Sequence, residues 1–141
     1  DGSSKKYIIA ASKMKSLVDL RSYIRERKDR NDVAFLGIFD RENYLHIGNI
    51  KFEPIDKNAG YAIMGVLIGD PKYRGRGVVP EVLRASSIWL KQDLGVKEIL
   101  LGVSEENNAA IKAYEKVGFV ICNSPYIEKI DTHTHTMVWR L

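Results

Sequence analysis

The sequence predicts an α+β domain built on a mixed, mostly antiparallel sheet that contains one parallel pair of strands. Three strand-like segments, residues 33–39, 44–52 and 61–69, follow one another with short polar turns between them, which indicates an antiparallel meander. A helical pattern and a further strand pattern follow the third segment. Such a strand–helix–strand unit joins two parallel strands through a right-handed crossover.

The elements of the first half follow from local patterns. We predict a helix over residues 16–28, because Ser16 begins a capping-box pattern and apolar residues then recur on one face. Residues 33–39 are an apolar run and residues 44–52 alternate, so both are predicted strands. Residues 61–69 are almost entirely apolar, which is typical of a central strand that is buried on both faces.

The second half contains two helices that alternate with strands. Pro80 suits the first turn of a helix over residues 79–94, and Gly95 suits its end. Asn107 can cap a second helix that runs through residue 117, and Gly118 can end it. The remaining patterns predict a turn over 54–60 and strands over 98–103, 119–122 and 134–141.

The composition is that of an ordinary globular protein. The 141 residues suffice for one domain over 1–141 with its own core, and 45% of them are hydrophobic and 28% charged. The single cysteine, Cys122, excludes an internal disulfide, and no apolar run could cross a bilayer. The net charge of +4 suits an anionic ligand, whereas no basic stripe with interleaved aromatics indicates nucleic acid. We therefore expect a cytoplasmic protein with neither membrane nor nucleic-acid partners.

A basic, glycine-rich segment lies between the third strand and the first long helix. Residues 74–81 read Arg-Gly-Arg-Gly-Val-Val-Pro-Glu. Glycines let the backbone fold closely around a ligand, and the first N–H groups of a helix attract anions. The segment predicts a phosphate-binding turn; a plain turn with solvated arginines is the alternative.

Two motifs occur in order, about thirty residues apart. The first is an Arg/Gln-x-x-Gly-x-Gly/Ala loop, matched by Arg74, Gly77 and, less closely, Val79. The second is an Asn-x-x-Ala-x-x-x-Tyr run closed by Gly-Phe, at residues 107–119. Together they resemble the GNAT family of acyl-CoA-dependent N-acetyltransferases, over residues 16–141. The resemblance is nearest to the branches that acetylate ribosomal-protein N-termini and amino sugars.

The sequence departs from the family pattern in two places. Val79 stands where a small residue is usual, and Tyr114 is often missing from the ribosomal-protein branch, so the branch stays open. Family members usually begin with a strand and a short helix, for which only residues 7–11 are available. The first strand is therefore expected to be truncated or supplied by a partner, and residues 1–6 to be a linker or a cloning remnant.

The resemblance implies a three-layer α/β/α fold with acetyl-CoA as cosubstrate and no metal. The end of the 61–69 strand would splay from its parallel neighbour, so that its backbone pairs with the pantetheine amides. A backbone N–H there would polarise the thioester carbonyl, while the basic loop holds the pyrophosphate. The implied cofactor-binding residues are Leu67, Ile68, Gly69, Arg74, Gly75, Arg76, Gly77, Val78, Val79 and Asn107.

The catalytic residues implied are an acid and a base. Tyr114 would donate a proton to the departing thiolate, unless it only packs on the core. For the base, Glu53 is the carboxylate nearest the expected cleft and Asp70 is the second, and either would act through water. Two alternatives stay open: both carboxylates are merely solvated at the ends of turns, or the enzyme has no dedicated base. His133 and His135 share a strand face but lack further ligands, so we predict surface histidines.

The expected function is transfer of an acetyl group from acetyl-CoA to a primary amine by direct attack. The acceptor is an amino sugar or similar small molecule, or a peptide N-terminus. Residues 16–28, 52–60 and 124–132, the last with Tyr126, would select it. The alternative is a non-catalytic acyl-CoA-binding module of a larger protein, and a homodimer is compatible with either.

Overall fold

Six strands form one sheet in the computed structural model, which describes residues 30–128 and 132–141. The strands are β1 (Ala34–Phe39), β2 (His46–Asp56), β3 (Tyr61–Ile68), β4 (Glu98–Ser104), β5 (Val120–Ile121) and β6 (Thr134–Arg140). The helices are α1 (Val78–Leu94), which joins β3 to β4, and α2 (Asn108–Val117), which joins β4 to β5.

The order of strands across the sheet is β1-β2-β3-β4-β6-β5. The pair β3–β4 is parallel and the other four pairs are antiparallel, which confirms the predicted mixed sheet and its amino-terminal meander. The predicted helix over residues 16–28, and with it the second helical layer, lies outside the described residues.

Strand β2 differs most from its prediction. It continues past residue 52 into the segment that was predicted to be a turn. Its register with β3 shifts between Phe52 and Ile55, so Glu53 and Pro54 together face the single residue Ile63. This is a β-bulge, where proline is tolerated because a bulged residue need not donate to the ladder.

The core lies between the sheet and the two helices. Leu83 and Leu90 of α1 and Ile111 of α2 are buried, and they belong to one cluster with the strands. The fully buried side chains of this cluster that contribute most volume are Phe52, Phe119, Ile50, Leu83, Leu90, Ile99, Leu101, Met137 and Val96.

The helix ends confirm the predicted caps. The Asn107 side chain accepts a hydrogen bond from the Ala110 N–H at 3.2 Å. Gly95 ends α1 with φ of 68°, and Gly118 ends α2 with φ of 130°. These positive values are easy for glycine and strained for residues with a Cβ.

A side chain at position 118 would be strained by the backbone conformation and would also clash with a neighbouring residue. A Cβ there would lie 2.7 Å from Nε1 of Trp139. We expect Gly118→Ala to lower the free energy of unfolding by about 2–3 kcal/mol, measured by urea denaturation. Gly95→Ala is the matched control, because its Cβ would meet nothing within 4 Å. It should cost only the backbone strain of about 1 kcal/mol. Equal losses would contradict a clash with Trp139.

Candidate active site

The parallel pairing of β3 and β4 is short. It runs from Tyr61 opposite Glu98 to Ile63 opposite Leu100 and includes no later residues of either strand. Beyond that point β3 pairs with β2, and β4 pairs with β6. The two central strands therefore splay apart toward their carboxyl ends, as the family resemblance implied.

A cleft of about 1010 Å³ lies at the splay and opens through the sheet. Leu101 and Val103 belong to the core cluster on the helix side, and both line the cleft. Thr134 and Thr136 also line it, but they alternate with the core residue Met137 and so lie on the opposite face. Two ligands could therefore reach one point from opposite faces of the sheet.

The predicted phosphate loop, residues 71–79, forms one end of this cleft. Gly75 and Gly77 have φ of 72° and 79°, and Gly77 caps α1 without a side-chain hydrogen bond. The N–H groups of Val78 and Val79 therefore point out of the helix end, where the helix dipole favours an anion. All four residues line the cleft.

The bulkier Val79 is accommodated by the core. Its side chain is half-buried and packs against the core cluster, as does that of Val78. The departure from the small residue of the family motif thus places extra volume against the protein interior. Both glycines of the loop keep their left-handed conformations.

The two arginines of the loop have different surroundings. Nε and Nη2 of Arg74 each donate to the carbonyl of Ile68 at 3.1 Å, which joins the loop to the end of β3. Arg76 is exposed, donates from Nη1 to the carbonyl of Lys72 at 3.4 Å, and is not part of the cleft wall. Arg74 thus also has a structural role, while Arg76 adds positive charge on the exposed side of the loop.

Tyr114 and Asn107 lie on the helix side of the cleft. The Tyr114 ring is half-buried against Phe119, with ring centroids 5.6 Å apart. Burial raises the pKa of the phenol to about 12, so it stays protonated at neutral pH. Asn107 uses its Oδ1 as the helix cap, and its amide Nδ2 is the group suited to donate to a ligand.

Glu53 enters the cleft from the bulge in β2. Its side chain is only 12% exposed, and its Oε2 lies 3.6 Å from Nη1 of Arg30. Arg30 also donates two hydrogen bonds of 2.9 Å to Asp32, whose pKa it holds below the usual range. Lys51 and Glu128 line the same cleft. The sequence analysis identified the Glu53 carboxylate, but it did not predict the bulge that directs this side chain into the cleft.

Gly69 and Asp70, like Arg76, do not line the cleft. The Gly69 N–H donates to the carbonyl of Ile47 at 2.8 Å, so it is already engaged. The Asp70 carboxylate accepts the Lys72 N–H at 3.0 Å and caps the turn before the loop. The structure therefore does not bring Gly69 or Asp70 into the cleft with Glu53 and Tyr114, and the roles predicted for them stay predictions.

The loop that contains Tyr126 reaches the cleft through the residues that follow. The Tyr126 ring stacks on Tyr61 at 4.0 Å, and Ile127 and Glu128 then line the cleft. Tyr126 itself is not part of the wall. Tyr126 therefore packs beside the site rather than within it.

Several cleft residues escaped the sequence analysis. Thr134 and Thr136 of β6 alternate with His133 and His135, and only knowledge of which face meets the splay could have distinguished the threonines from the histidines. The missed residues are Lys51, Tyr73, Lys112, Lys116, Thr134 and Thr136. His133 instead pairs with Glu105 at 2.8 Å on the surface.

Searches for metal sites and membrane spans covered the described residues only. Within 30–128 and 132–141, no group of three or more histidine, cysteine or acidic side chains could hold a metal ion. In the same part of the chain, no helix has the length and apolar character needed to cross a membrane.

The chain belongs to the GNAT family, because the family model described as an acetyltransferase (GNAT) domain matches residues 4–120. A curated relative is the uncharacterized N-acetyltransferase YobR of Bacillus subtilis (strain 168), 31% identical over 86 residues. The match covers 61% of this chain and 32% of the relative, so it spans about a third of that protein's length.

Solved structures with the same fold include spermidine N-acetyltransferases. A chimera of SpeG from Vibrio cholerae and hSSAT has a TM-score of 0.78 at 20% identity, covering 98% of this chain and 86% of that one. The Vibrio cholerae enzyme in complex with CoA and spermine has a TM-score of 0.75 at 20% identity, covering 90% and 76%. These likenesses confirm the predicted fold.

The raised pKa of Tyr114 predicts a specific loss of stability at alkaline pH. The folded-state pKa of about 12 exceeds the ordinary value of 10.0, so the stabilising contribution is complete below pH 10 and disappears as pH rises toward 12. Between about pH 9 and pH 11, wild type should lose more stability than Tyr114→Phe, as measured by urea midpoints. The other tyrosines are common to both proteins. Equal losses would contradict a buried phenol.

Proposed function

We propose that this domain transfers the acetyl group of acetyl-CoA to a primary amine by direct attack. The observation that carries the proposal is the cleft at the β3–β4 splay. It opens on both faces of the sheet, has an anion-binding helix terminus at one end, and contains the Tyr114 side chain. A cytoplasmic location and a homodimer stay predictions from the sequence.

The cofactor would occupy the helix side of the cleft. Its pyrophosphate fits the N–H groups at Gly77, Val78 and Val79, and its pantetheine arm can pair with the β3 backbone near Leu67 and Ile68. The Gly69 N–H is engaged by the Ile47 carbonyl, so an N–H within β3, rather than that of Gly69, would polarise the thioester carbonyl.

The reaction needs a neutral amine and a leaving thiolate. The amine nitrogen attacks the carbonyl carbon, the carbon–sulfur bond breaks, and the nitrogen loses a proton, leaving an amide and the thiol of CoA. A phenol with a pKa of about 12 is a weaker acid than a thiol near 8.5. Tyr114 is therefore better suited to a hydrogen bond that stabilises charge on sulfur than to complete proton transfer.

The amine would enter from the opposite face. Glu53 and Glu128 line the cleft and would attract an ammonium group, which Glu53 could deprotonate through water. Amino sugars and peptide N-termini stay candidate acceptors. The spermine bound by the Vibrio cholerae relative adds polyamines to the panel.

Acetyl-CoA should raise the melting temperature and support CoA release with at least one amine of a panel that contains spermidine, glucosamine and a short peptide. Tyr114→Phe should lower kcat about tenfold to a hundredfold, as expected for loss of a hydrogen bond to developing charge, with CoA affinity unchanged. Tyr44→Phe, at a turn position where the residue is 81% exposed, is the control. Binding without turnover on any amine would favour a non-catalytic module, and absence of binding would refute both functions.

Glu53→Gln tests the base while keeping the shape of the side chain. We expect kcat/KM for the amine to fall about tenfold to a hundredfold, most strongly at pH values below the amine pKa, with CoA affinity unchanged. Asp70→Asn should leave the pH profile of the amine unchanged, because Asp70 does not line the cleft and its carboxylate caps the Lys72 N–H. An unchanged pH profile for Glu53→Gln would mean that solvent deprotonates the amine.

A further inference from the structure

Tyr73 connects the phosphate loop to a turn that is distant in sequence. Its hydroxyl donates to the Asp40 carboxylate and accepts from Nδ2 of Asn43 at 3.2 Å. Asp40 and Asn43 lie in the β1–β2 turn, residues 40–45, at separations of 33 and 30 positions from Tyr73. These side-chain contacts join two turns that adjoin different strands.

Both partners of Tyr73 are held firmly by their own turn. Oδ1 of Asp40 accepts the Glu42 N–H at 2.8 Å, and the Asp40 carbonyl accepts the Tyr44 N–H at 2.9 Å. Oδ1 of Asn43 accepts the Leu45 N–H at 2.9 Å. The turn therefore presents the carboxylate and the amide in fixed positions.

The other side of this contact is the phosphate loop. Tyr73 ends the short helical turn Pro71–Tyr73, and its side chain also lines the cleft. The Arg76 guanidinium lies 5.6 Å above the Tyr73 ring. Gly75 and Gly77 follow, and glycines lose more conformational freedom than other residues when a ligand orders them. A fixed residue next to them lowers that cost.

We propose that Tyr73 is a positioning residue for the phosphate loop, held by Asp40 and Asn43 of the β1–β2 turn. The inference rests on the proposed function, in which this loop binds the pyrophosphate of acetyl-CoA. Of the three residues in this contact, Tyr73 is the one that lines the cleft. The β1–β2 turn thus contributes to cofactor binding through Tyr73.

The charge of Asp40 strengthens the contact. The phenol hydrogen bond holds the pKa of Asp40 below its usual range, and the carboxylate raises the pKa of Tyr73. The carboxylate is therefore ionised and the phenol protonated at neutral pH. A hydrogen bond to an ionised acceptor is stronger than one between neutral groups.

Tyr73→Phe removes the hydroxyl and keeps the ring under Arg76. We expect the Kd of CoA and the KM of acetyl-CoA to rise about tenfold, with kcat and the KM of the amine unchanged. S-acetylpantetheine has the thioester but no pyrophosphate, so its kcat/KM should be the same for Tyr73→Phe and wild type. Tyr44→Phe, in the same turn, should change none of these values.

Asp40→Asn provides the second arm of this test. If the two side chains act together, Asp40→Asn combined with Tyr73→Phe should weaken CoA binding less than the sum of the single changes. Unchanged CoA affinity in Tyr73→Phe, or an equal loss with S-acetylpantetheine, would overturn the positioning role while leaving the proposed function intact. Failure of wild type to bind CoA would refute both.

Discussion

The separation of β3 from β4 after Ile63 is the constraint on which the rest of the site depends. In an unbroken parallel ladder the backbone groups of the two strands would satisfy one another. Here β2 pairs with the outer edge of β3, and β6 pairs with the outer edge of β4. Both strands therefore stay in the sheet although their inner edges are separated. Backbone groups at such an edge gain from an amide-bearing ligand, because unpaired polar groups are costly.

Arg74 couples the end of β3 to the predicted anion site. Its guanidinium spans from the loop to the Ile68 carbonyl, so the last residue of the splayed strand and the start of the phosphate loop are joined directly. Gly75 and Gly77 supply the left-handed backbone that the turn into α1 requires. The strand edge and the helix terminus therefore form one continuous surface, which the proposed cofactor would occupy as a whole.

Local chemistry was predictable from the sequence, whereas long-range register was not. Asn107 and Gly118 mark the ends of α2 because capping depends on a few neighbouring residues. Pro54 suggested a turn, yet β2 continues through it, because pairing with β3 accommodates proline in a bulge. The contact between Tyr73 and Asp40 joins residues from two distant turns, and no periodic pattern in the sequence reports such a contact.

The distribution of proton-transfer groups limits how the proposed reaction could be accelerated. The Tyr114 phenol, with a pKa of about 12, is too weak an acid to protonate a thiolate fully. Oε2 of Glu53 lies 3.6 Å from Nη1 of Arg30, so this carboxylate is already part of an ion pair. A weakly acidic phenol and a carboxylate shared with Arg30 favour only a modest acid–base contribution. Most of the rate enhancement would therefore come from holding thioester and amine in one cleft and from backbone dipoles aimed at the carbonyl oxygen.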